Sequence, residues 1–180
     1  KYGAVRNTYD SAGRLIKVET GELAAWQAET IAPASWSGFT ILQIAETSYD
    51  ASDRKVLEKL IGVVAGVQTV QSVTQYSYDS SGRLECTAVR MNPASFSSPP
   101  AACNPGTPGS FGEDRITRSI FDNAGQVLQV RRAVGTGLEQ AYTTYSYTLD
   151  GKQEYVIDAK GNRAKFEYDG FDRLAKWIFP

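Results

Sequence analysis

YDSAGRL at residues 9–15 recurs as YDSSGRL at residues 78–84, and the rest of the chain is organised around this string. Three clear variants and two weaker copies follow the same pattern: YDASDRK at 49–55, FDNAGQV at 121–127, YDGFDRL at 168–174, YTLDGKQ at 147–153 and IDAKGNR at 157–163. We call each copy a unit and number its positions 1 to 7. Self-similarity of this kind indicates a repeat architecture in which every unit is one small structural element.

In the five clearest units, position 1 is aromatic, position 2 is Asp and position 5 is Gly or Asp. These residues are Tyr9, Asp10 and Gly13; Tyr49, Asp50 and Asp53; Tyr78, Asp79 and Gly82; Phe121, Asp122 and Gly125; and Tyr168, Asp169 and Asp172. An Asp that starts a type I turn bonds the backbone two residues on. A left-handed residue then closes the turn as a bulge, which Gly does without strain and Asp tolerates. The pattern therefore predicts hairpin turns rather than a catalytic motif.

The residues beside the units alternate as β-strands do. TQYSYD at 74–79 and TYSYT at 144–148 place Tyr at every second residue, and RLIKVET at 14–20 leaves its turn with the same alternation. A short helix near residues 55–61 is an alternative, but the β-branched content and the Ala65-Gly66 break favour two long strands. We expect an all-β fold, a curved and mostly antiparallel sheet of successive hairpins forming one domain over residues 1–180.

Residues 91–112 interrupt this pattern, because they contain five of the seven prolines. Proline supplies no hydrogen-bond donor to a sheet, so this stretch is predicted to be a surface excursion. Cys86 and Cys103 are the only cysteines. A disulfide would pin the excursion to the sheet and contribute about 3 kcal/mol in an oxidising compartment. The alternative is a reactive thiol, which Lys or Arg would have to activate.

Composition excludes several classes of function. Nineteen basic and twenty acidic residues give a net charge of −1, so we expect no nucleic-acid partner. The chain has no histidine, which removes Ser-His-Asp and Cys-His catalysis and the commonest metal ligand. The apolar stretch at residues 60–67 is too short to span a membrane. We expect no catalytic residue, no cofactor and no metal ion.

The aromatic residues allow two interpretations. Five tyrosines are spaced to share a face of the sheet: Tyr76, Tyr78, Tyr145, Tyr147 and Tyr168. Packing between neighbouring hairpins is the favoured interpretation, and a stacking platform for a sugar or peptide is the alternative. Trp26, Trp36 and Trp177 are each expected in the core rather than on a ligand platform, and Trp36, which lies in a loop-like sequence, is the best candidate for exposure among them. The repeated Asp residues would form a row rather than converge on one bond, which disfavours a hydrolase.

The string YDSxGRL with Tyr two positions upstream, together with DAKGNR and FEYDGFDRL near the end, resembles the YD repeats of the RHS family. That resemblance implies hairpins that wind into a spiralling sheet and close as a hollow shell. In bacterial polymorphic toxins and insecticidal toxin complexes the shell encloses a C-terminal toxic domain, and in animal teneurins a similar shell serves cell–cell adhesion. The DPxG motif that often ends the family's core does not occur here, so the self-cleaving plug and the toxin are not carried over.

The resemblance implies a structural role, and we expect the chain to be no enzyme. It would be a segment of a secreted or cell-surface bacterial protein that encloses or displays a C-terminal toxin domain. Its partners would be neighbouring YD repeats of the same full-length protein and that enclosed domain. The alternative is a module that binds a carbohydrate or a cell-surface ligand through the Tyr-rich face. Exposed edge strands would also let the segment associate with itself or with partner segments.

Overall fold

The computed structural model describes residues 1–179, and Pro180, the last residue of the predicted domain, lies outside the described part. Twelve strands form one curved antiparallel sheet in which spatial order equals chain order. Within the described residues the only helices are three single 3-10 turns, at Pro33–Ser35, Pro93–Ser95 and Gly109–Phe111. The predicted all-β sheet of successive hairpins is thereby confirmed.

The strands are β1 (Tyr2–Tyr9), β2 (Leu15–Leu23), β3 (Phe39–Tyr49), β4 (Lys55–Val64), β5 (Val67–Tyr78), β6 (Leu84–Arg90), β7 (Arg115–Phe121), β8 (Val127–Arg132), β9 (Gln140–Tyr147), β10 (Gln153–Asp158), β11 (Arg163–Tyr168) and β12 (Leu174–Ile178). The stretch considered for a short helix forms strand β4. It joins β5 through a two-residue turn in which Ala65 and Gly66 both have positive φ, as hairpin turns with the twist of the sheet require.

Six of the seven units turn at the same edge of the sheet, which we call the turn edge. In each of the six, position 1 lies opposite position 7, as in Tyr9 opposite Leu15 and Tyr168 opposite Leu174. The unit at 157–163 makes the same hairpin at the opposite edge, which we call the loop edge. The loop edge also carries the long connections at 24–38 and 91–114. Their different lengths produce the uneven spacing of the units.

The unit beginning at Tyr9 shows how the sequence makes the turn. The N–H of Asp10 donates to the carbonyl of Arg14, and the N–H of Gly13 donates to the carbonyl of Asp10. Gly13 has a φ of 79°, in the left-handed region. In the two units that lack Gly, Asp53 and Asp172 take that conformation, with φ of 60° and 66°. These bonds are those of a type I turn closed by a bulge.

The sheet is a single layer with a small apolar core. Most side chains on the strands are half-buried, and the principal cluster of buried residues lies where the excursion folds back over β6 and β7. Its members are Cys86, Ala88, Ala102, Ile116 and Val134. Elsewhere the hairpins are held by contacts with their immediate neighbours, which is typical of repeat proteins.

Gly13→Ala tests the turn conformation, because open space surrounds the position where a Cβ would lie. Only the left-handed backbone opposes the substitution, and we expect the free energy of unfolding to fall by about 1–2 kcal/mol. Gly3→Ala is the matched control, since Gly3 also has open space but lies in β1 without a positive φ. Urea denaturation of both variants measures the difference. Equal stability of the two variants would contradict the predicted turn strain.

Candidate functional site

Position 6 of the first five units on the turn edge reaches forward to the next turn. The guanidinium of Arg54 lies 4.4 Å over the ring of Tyr78, and that of Arg83 lies 4.5 Å over the ring of Phe121. Arg83 also donates from Nη1 to the backbone carbonyl of Asp122 at 3.0 Å. Arg14, Gln126 and Lys152 contact their following turns through hydrogen bonds, to Asp53, Gly151 and Asp172 respectively. A cation–π contact of this kind contributes about 0.5–1 kcal/mol at an exposed site.

Position 1 reaches back in the opposite direction. The hydroxyl of Tyr78 donates to the backbone carbonyl of Lys55 at 2.9 Å, so it bonds position 7 of the preceding unit. The same bond joins Tyr49 to Leu15, Tyr147 to Val127 and Tyr168 to Gln153. Each junction is therefore bridged by a forward contact from position 6, and in four of the five junctions by a backward bond from a tyrosine. We call this pair of contacts the clasp.

In the units with Arg at position 6, the Asp at position 2 anchors that arginine. In the unit at 78–84, Oδ1 of Asp79 accepts the N–H groups of Ser81 and Arg83 at 2.9 Å each, and Oδ2 accepts Nε of Arg83 at 2.6 Å. The backbone bond from Arg83 and its guanidinium hold the pKa of Asp79 below the usual value. The carboxylate therefore stays charged at neutral pH and fixes the arginine that clasps the next turn.

The excursion at 91–112 is attached to the sheet by a disulfide. Cys86 on β6 and Cys103 in the excursion are bonded, with their Cα atoms 5.4 Å apart. Glu85 lies beside them, and these three residues form the only metal-ligand-like cluster in residues 1–179. Sulfur atoms that are bonded to each other are not thiolate ligands, so this cluster offers no metal site.

A buried ion pair is the second point at which the excursion is attached to the sheet. Arg90, whose side chain is fully buried, donates from Nη1 to Oδ2 of Asp114 at 2.7 Å. Its other donors bond Gln75 on β5 and the backbone carbonyls of Pro100, Ala101 and Asn104. Asp114 in turn accepts the N–H groups of Met91 and Gly106. Arg90 thus satisfies several carbonyls of the excursion that sheet pairing leaves free.

The tyrosines predicted to share a face are all half-buried. Tyr78, Tyr147 and Tyr168 use their hydroxyls in clasps. Tyr76 donates its hydroxyl to Glu58, and burial together with this bond raises the pKa of Tyr76 to about 12. These groups pack and bond within the sheet, so they do not form a free platform for stacking a ligand.

The expectation of a core position was wrong for Trp26 and Trp177, and Trp36 is not the exposed tryptophan. Trp26 is 71% exposed and Trp177 lies exposed on the outer strand β12, whereas Trp36 is half-buried and packs edge-on against Phe39. Trp26 and Tyr2 meet edge-to-face in an apolar groove of about 370 Å³ beside β1, lined also by Trp36. Sequence alone did not locate this groove, because its walls come from β1 and from the connection at 24–38. In the part of the chain that is described, no helix is long and apolar enough to cross a membrane.

The clasp predicts opposite effects for two matched substitutions. Tyr78→Phe removes the hydroxyl that bonds Lys55, and the free energy of unfolding should fall by about 1 kcal/mol. Phe121→Tyr adds a hydroxyl at the one junction that lacks it and should raise stability by about 0.5–1 kcal/mol. Tyr142→Phe, at an exposed tyrosine outside the units, is the control. Chemical denaturation measures the free energy of unfolding of each variant. A Tyr78→Phe variant as stable as the control would contradict a stabilising role of the clasp.

Asp114→Asn should release the excursion, because it leaves Arg90 buried without a charged partner. Breaking a buried pair costs about 3–5 kcal/mol, and limited proteolysis should then cut within residues 91–112. Glu113→Gln, at the exposed neighbouring carboxylate, should change neither result. Stability and cleavage sites equal to those of wild type would contradict the role of this pair.

The same pair has a defined pH dependence. Burial alone would raise the pKa of Asp114, but bonds from Met91, Arg90 and Gly106 outweigh burial and lower it. Because the folded pKa lies below the unfolded value of about 4, the carboxylate stabilises the fold above that pH. The advantage of wild type over Asp114→Asn should therefore shrink as the pH falls below about 4. Denaturation curves at neutral and acidic pH measure it, and a constant difference would contradict it.

No family model and no curated protein sequence matches the chain. Among solved structures, TcdB2-TccC3 without its hypervariable C-terminal region matches 94% of this chain with a TM-score of 0.50 and 14% identity. TcdB2-TccC3 itself matches 94% with a TM-score of 0.48 and 15% identity. A DUF3836 family protein from Bacteroides vulgatus matches 71% with a TM-score of 0.33 and 6% identity. The matched segment is 9% of each TcdB2-TccC3 chain. TcdB2-TccC3 is a toxin complex of RHS/YD-repeat proteins, so the resemblance drawn from the motifs is confirmed as a likeness of fold, and the chain has the hairpin fold of RHS/YD repeats.

Proposed function

We propose that the chain is a structural wall segment of a secreted or surface RHS/YD-repeat protein, whose sheet encloses or displays a C-terminal toxin domain. One observation carries the proposal: twelve strands follow one another in chain order, and six of their turns are clasped in a row along one edge. Such a sheet extends as far as hairpins are added to it, because each hairpin contacts only its neighbours.

The dimensions and the small core suit a wall. With strands about 4.8 Å apart, twelve strands span about 50–55 Å in one layer. Open sheets of more than about ten strands tend to curl, which favours a curved enclosure. The apolar core is concentrated under the excursion rather than between two layers. The likeness of fold to a segment of TcdB2-TccC3 supports this role.

We also propose that the segment is not catalytic. The turn Asp residues are each bonded to backbone N–H groups of their own turn and lie in a row, so they do not converge in pairs. Hydrolysis by paired carboxylates needs two such groups on opposite sides of one bond. Assay of the Asp10→Asn and Asp79→Asn variants against any activity found in the whole protein tests this. Loss of the reaction without loss of folding would contradict it.

A second candidate function is binding of a carbohydrate or a cell-surface ligand. The Tyr-rich face does not favour it, because four of its five tyrosine hydroxyls are bonded within the sheet. The groove beside β1 does, since Trp26 offers an exposed ring next to Tyr2. Binding on a glycan array that Trp26→Ala abolishes and Trp177→Ala preserves would support this candidate. Absence of binding by the wild-type chain would reject it.

The enclosing role is tested in the natural gene product that contains this chain. Polypeptide that follows residue 180 should resist protease in that product, and it should be digested rapidly when it is expressed alone. Asp79→Ala combined with Arg83→Ala breaks one clasp in the wall and should restore digestion, whereas Leu138→Ala at an exposed loop residue should not. Equal digestion rates in the product and in isolation, or a reading frame that ends at residue 180, would contradict enclosure.

A further inference from the structure

The excursion at 91–112 covers an apolar patch in the middle of the sheet. Ala88 on β6 lies opposite Ile116 on β7, and Cys86 lies two residues before Ala88 on the same face. We call these three residues the covered patch, and each of them is fully buried. Ala102 of the excursion packs into the same cluster. Whether the patch meets water therefore depends on how the excursion is attached.

The disulfide and the buried arginine act on the same short stretch of the excursion. Arg90 donates to three backbone carbonyls within residues 100–104, at 2.8 or 2.9 Å. Cys103 lies within that stretch and is bonded to Cys86. Arg90 is itself fixed by Asp114 at 2.7 Å. If the disulfide is broken, Arg90 still holds residues 100–104 beside Cys86.

The two sulfur atoms of the disulfide differ in access from solvent. Cys86 is fully buried, whereas Cys103 is half-buried. A dithiol reductant therefore attacks Sγ of Cys103 through one thiolate, which breaks the S–S bond and releases the Cys86 sulfur, and that sulfur takes up a proton. The second thiol of the reductant then attacks the mixed disulfide, releases Cys103 as a thiol and closes the reductant into its own disulfide. Two electrons and two protons pass from the dithiol to the chain.

We propose that the excursion is a redox-sensitive strap over the covered patch. While the disulfide is intact, the strap stays closed. Reduction by a dithiol lets the strap open transiently and expose the patch, and Arg90 returns residues 100–104 to the same place, so that Cys103 meets Cys86 and the bond re-forms under oxidising conditions. An oxidising compartment keeps the strap closed, and a reducing compartment permits opening. This inference goes beyond the wall function, which does not require the excursion to move.

The sizes of the two contributions explain why reduction gives transient rather than permanent opening. The disulfide joins residues 17 apart in the chain, and a bridge of that length shifts an opening equilibrium by about 100-fold. The Arg90–Asp114 pair is unaffected by reduction, and breaking a buried pair is itself unfavourable by at least about 100-fold. The closed form therefore remains the major form after reduction, while the open form becomes frequent enough to detect.

Hydrogen exchange of the full chain, with and without dithiothreitol, tests the strap. The N–H groups of Met91, Phe96 and Asn104 are hydrogen-bonded in the closed form and report opening. Peptides covering residues 91–104 should exchange about 100-fold faster after reduction, whereas peptides from β3 and β4 should be unchanged. Equal exchange of residues 91–104 in both redox states would overturn the proposal. Faster exchange throughout the sheet would also overturn it, because the bond would then support the whole fold.

Exposure of the covered patch is measured at Cys86 in the Cys103→Ser variant, where Cys86 is the one remaining cysteine. Its reaction with iodoacetamide should be slow, because the sulfur is reached only when the strap opens. Adding Asp114→Asn should accelerate this reaction at least about tenfold, whereas adding Glu113→Gln, at the exposed neighbouring carboxylate, should not. A Cys86 that reacts as fast in Cys103→Ser as in the urea-unfolded chain would overturn the proposal.

The role of Arg90 in returning the strap is tested by equilibrating the full chain with reduced and oxidised glutathione. The midpoint gives the effective concentration of the two cysteines for each other. Asp114→Asn should lower that concentration at least about tenfold, and Glu113→Gln should leave it unchanged. Gln75→Ala, which removes the partner of Arg90 Nε, is the milder variant if Asp114→Asn does not fold, and it should lower the concentration in the same direction. An effective concentration that neither variant lowers would overturn the role of Arg90.

Discussion

In successive turns, the arginine at position 6 is bonded through Nε to the Asp of its own turn while its guanidinium lies over the aromatic ring of the next turn. Arg54 and Arg83 both do this, and after Arg54 the hydroxyl of Tyr78 also bonds back to the carbonyl of Lys55 beside the arginine. The guanidinium is thereby held in place by one hairpin and contacts the aromatic ring of the next hairpin. The hairpins stay in register because this contact, together with the sheet hydrogen bonds, permits one offset between them.

Two kinds of packing follow from this arrangement. Along the turn edge, cohesion comes from many small contacts between neighbours, so no deep core is needed there. Beneath the excursion, a disulfide, the buried Arg90–Asp114 pair and a cluster around Ile116 hold an irregular segment in one conformation. The turn edge suits extension by further hairpins. The excursion is attached to the surface of the sheet at both of these points and gives this part of the sheet its individual shape.

The turn could be predicted from sequence because its causes are local. Asp at position 2 and Gly or Asp at position 5 fulfil their roles within five residues, and the positive φ of Asp53 follows from the same reasoning. The clasp could not be predicted, because Arg83 and Asp122 are far apart in the chain and come into contact only through the register of β6 and β7. Sequence marked position 6 as polar or basic without indicating its partner.

Other features could not be predicted for the same reason, because they depend on contacts between distant segments of the chain. Asp114 belongs to no motif, and it became the partner of Arg90 only because the excursion folds back over β6. Trp26 was expected in the core, although the single-layer sheet provides no second layer against which it could be buried there. Interactions within one turn could be predicted from the sequence. Contacts between hairpins could not, because they depend on how the strands pair in the sheet.

The central claim is that neighbouring hairpins are coupled through the clasp, and a double-mutant cycle between Arg54 and Tyr78 tests it most directly. Arg54→Gln and Tyr78→Leu, separately and together, give the coupling free energy from urea denaturation, with Arg54 and Tyr168 as the distant control pair. We expect coupling of about 0.5–1 kcal/mol for the clasped pair and additivity within about 0.3–0.5 kcal/mol for the distant pair. Additive effects at Arg54 and Tyr78 would contradict it.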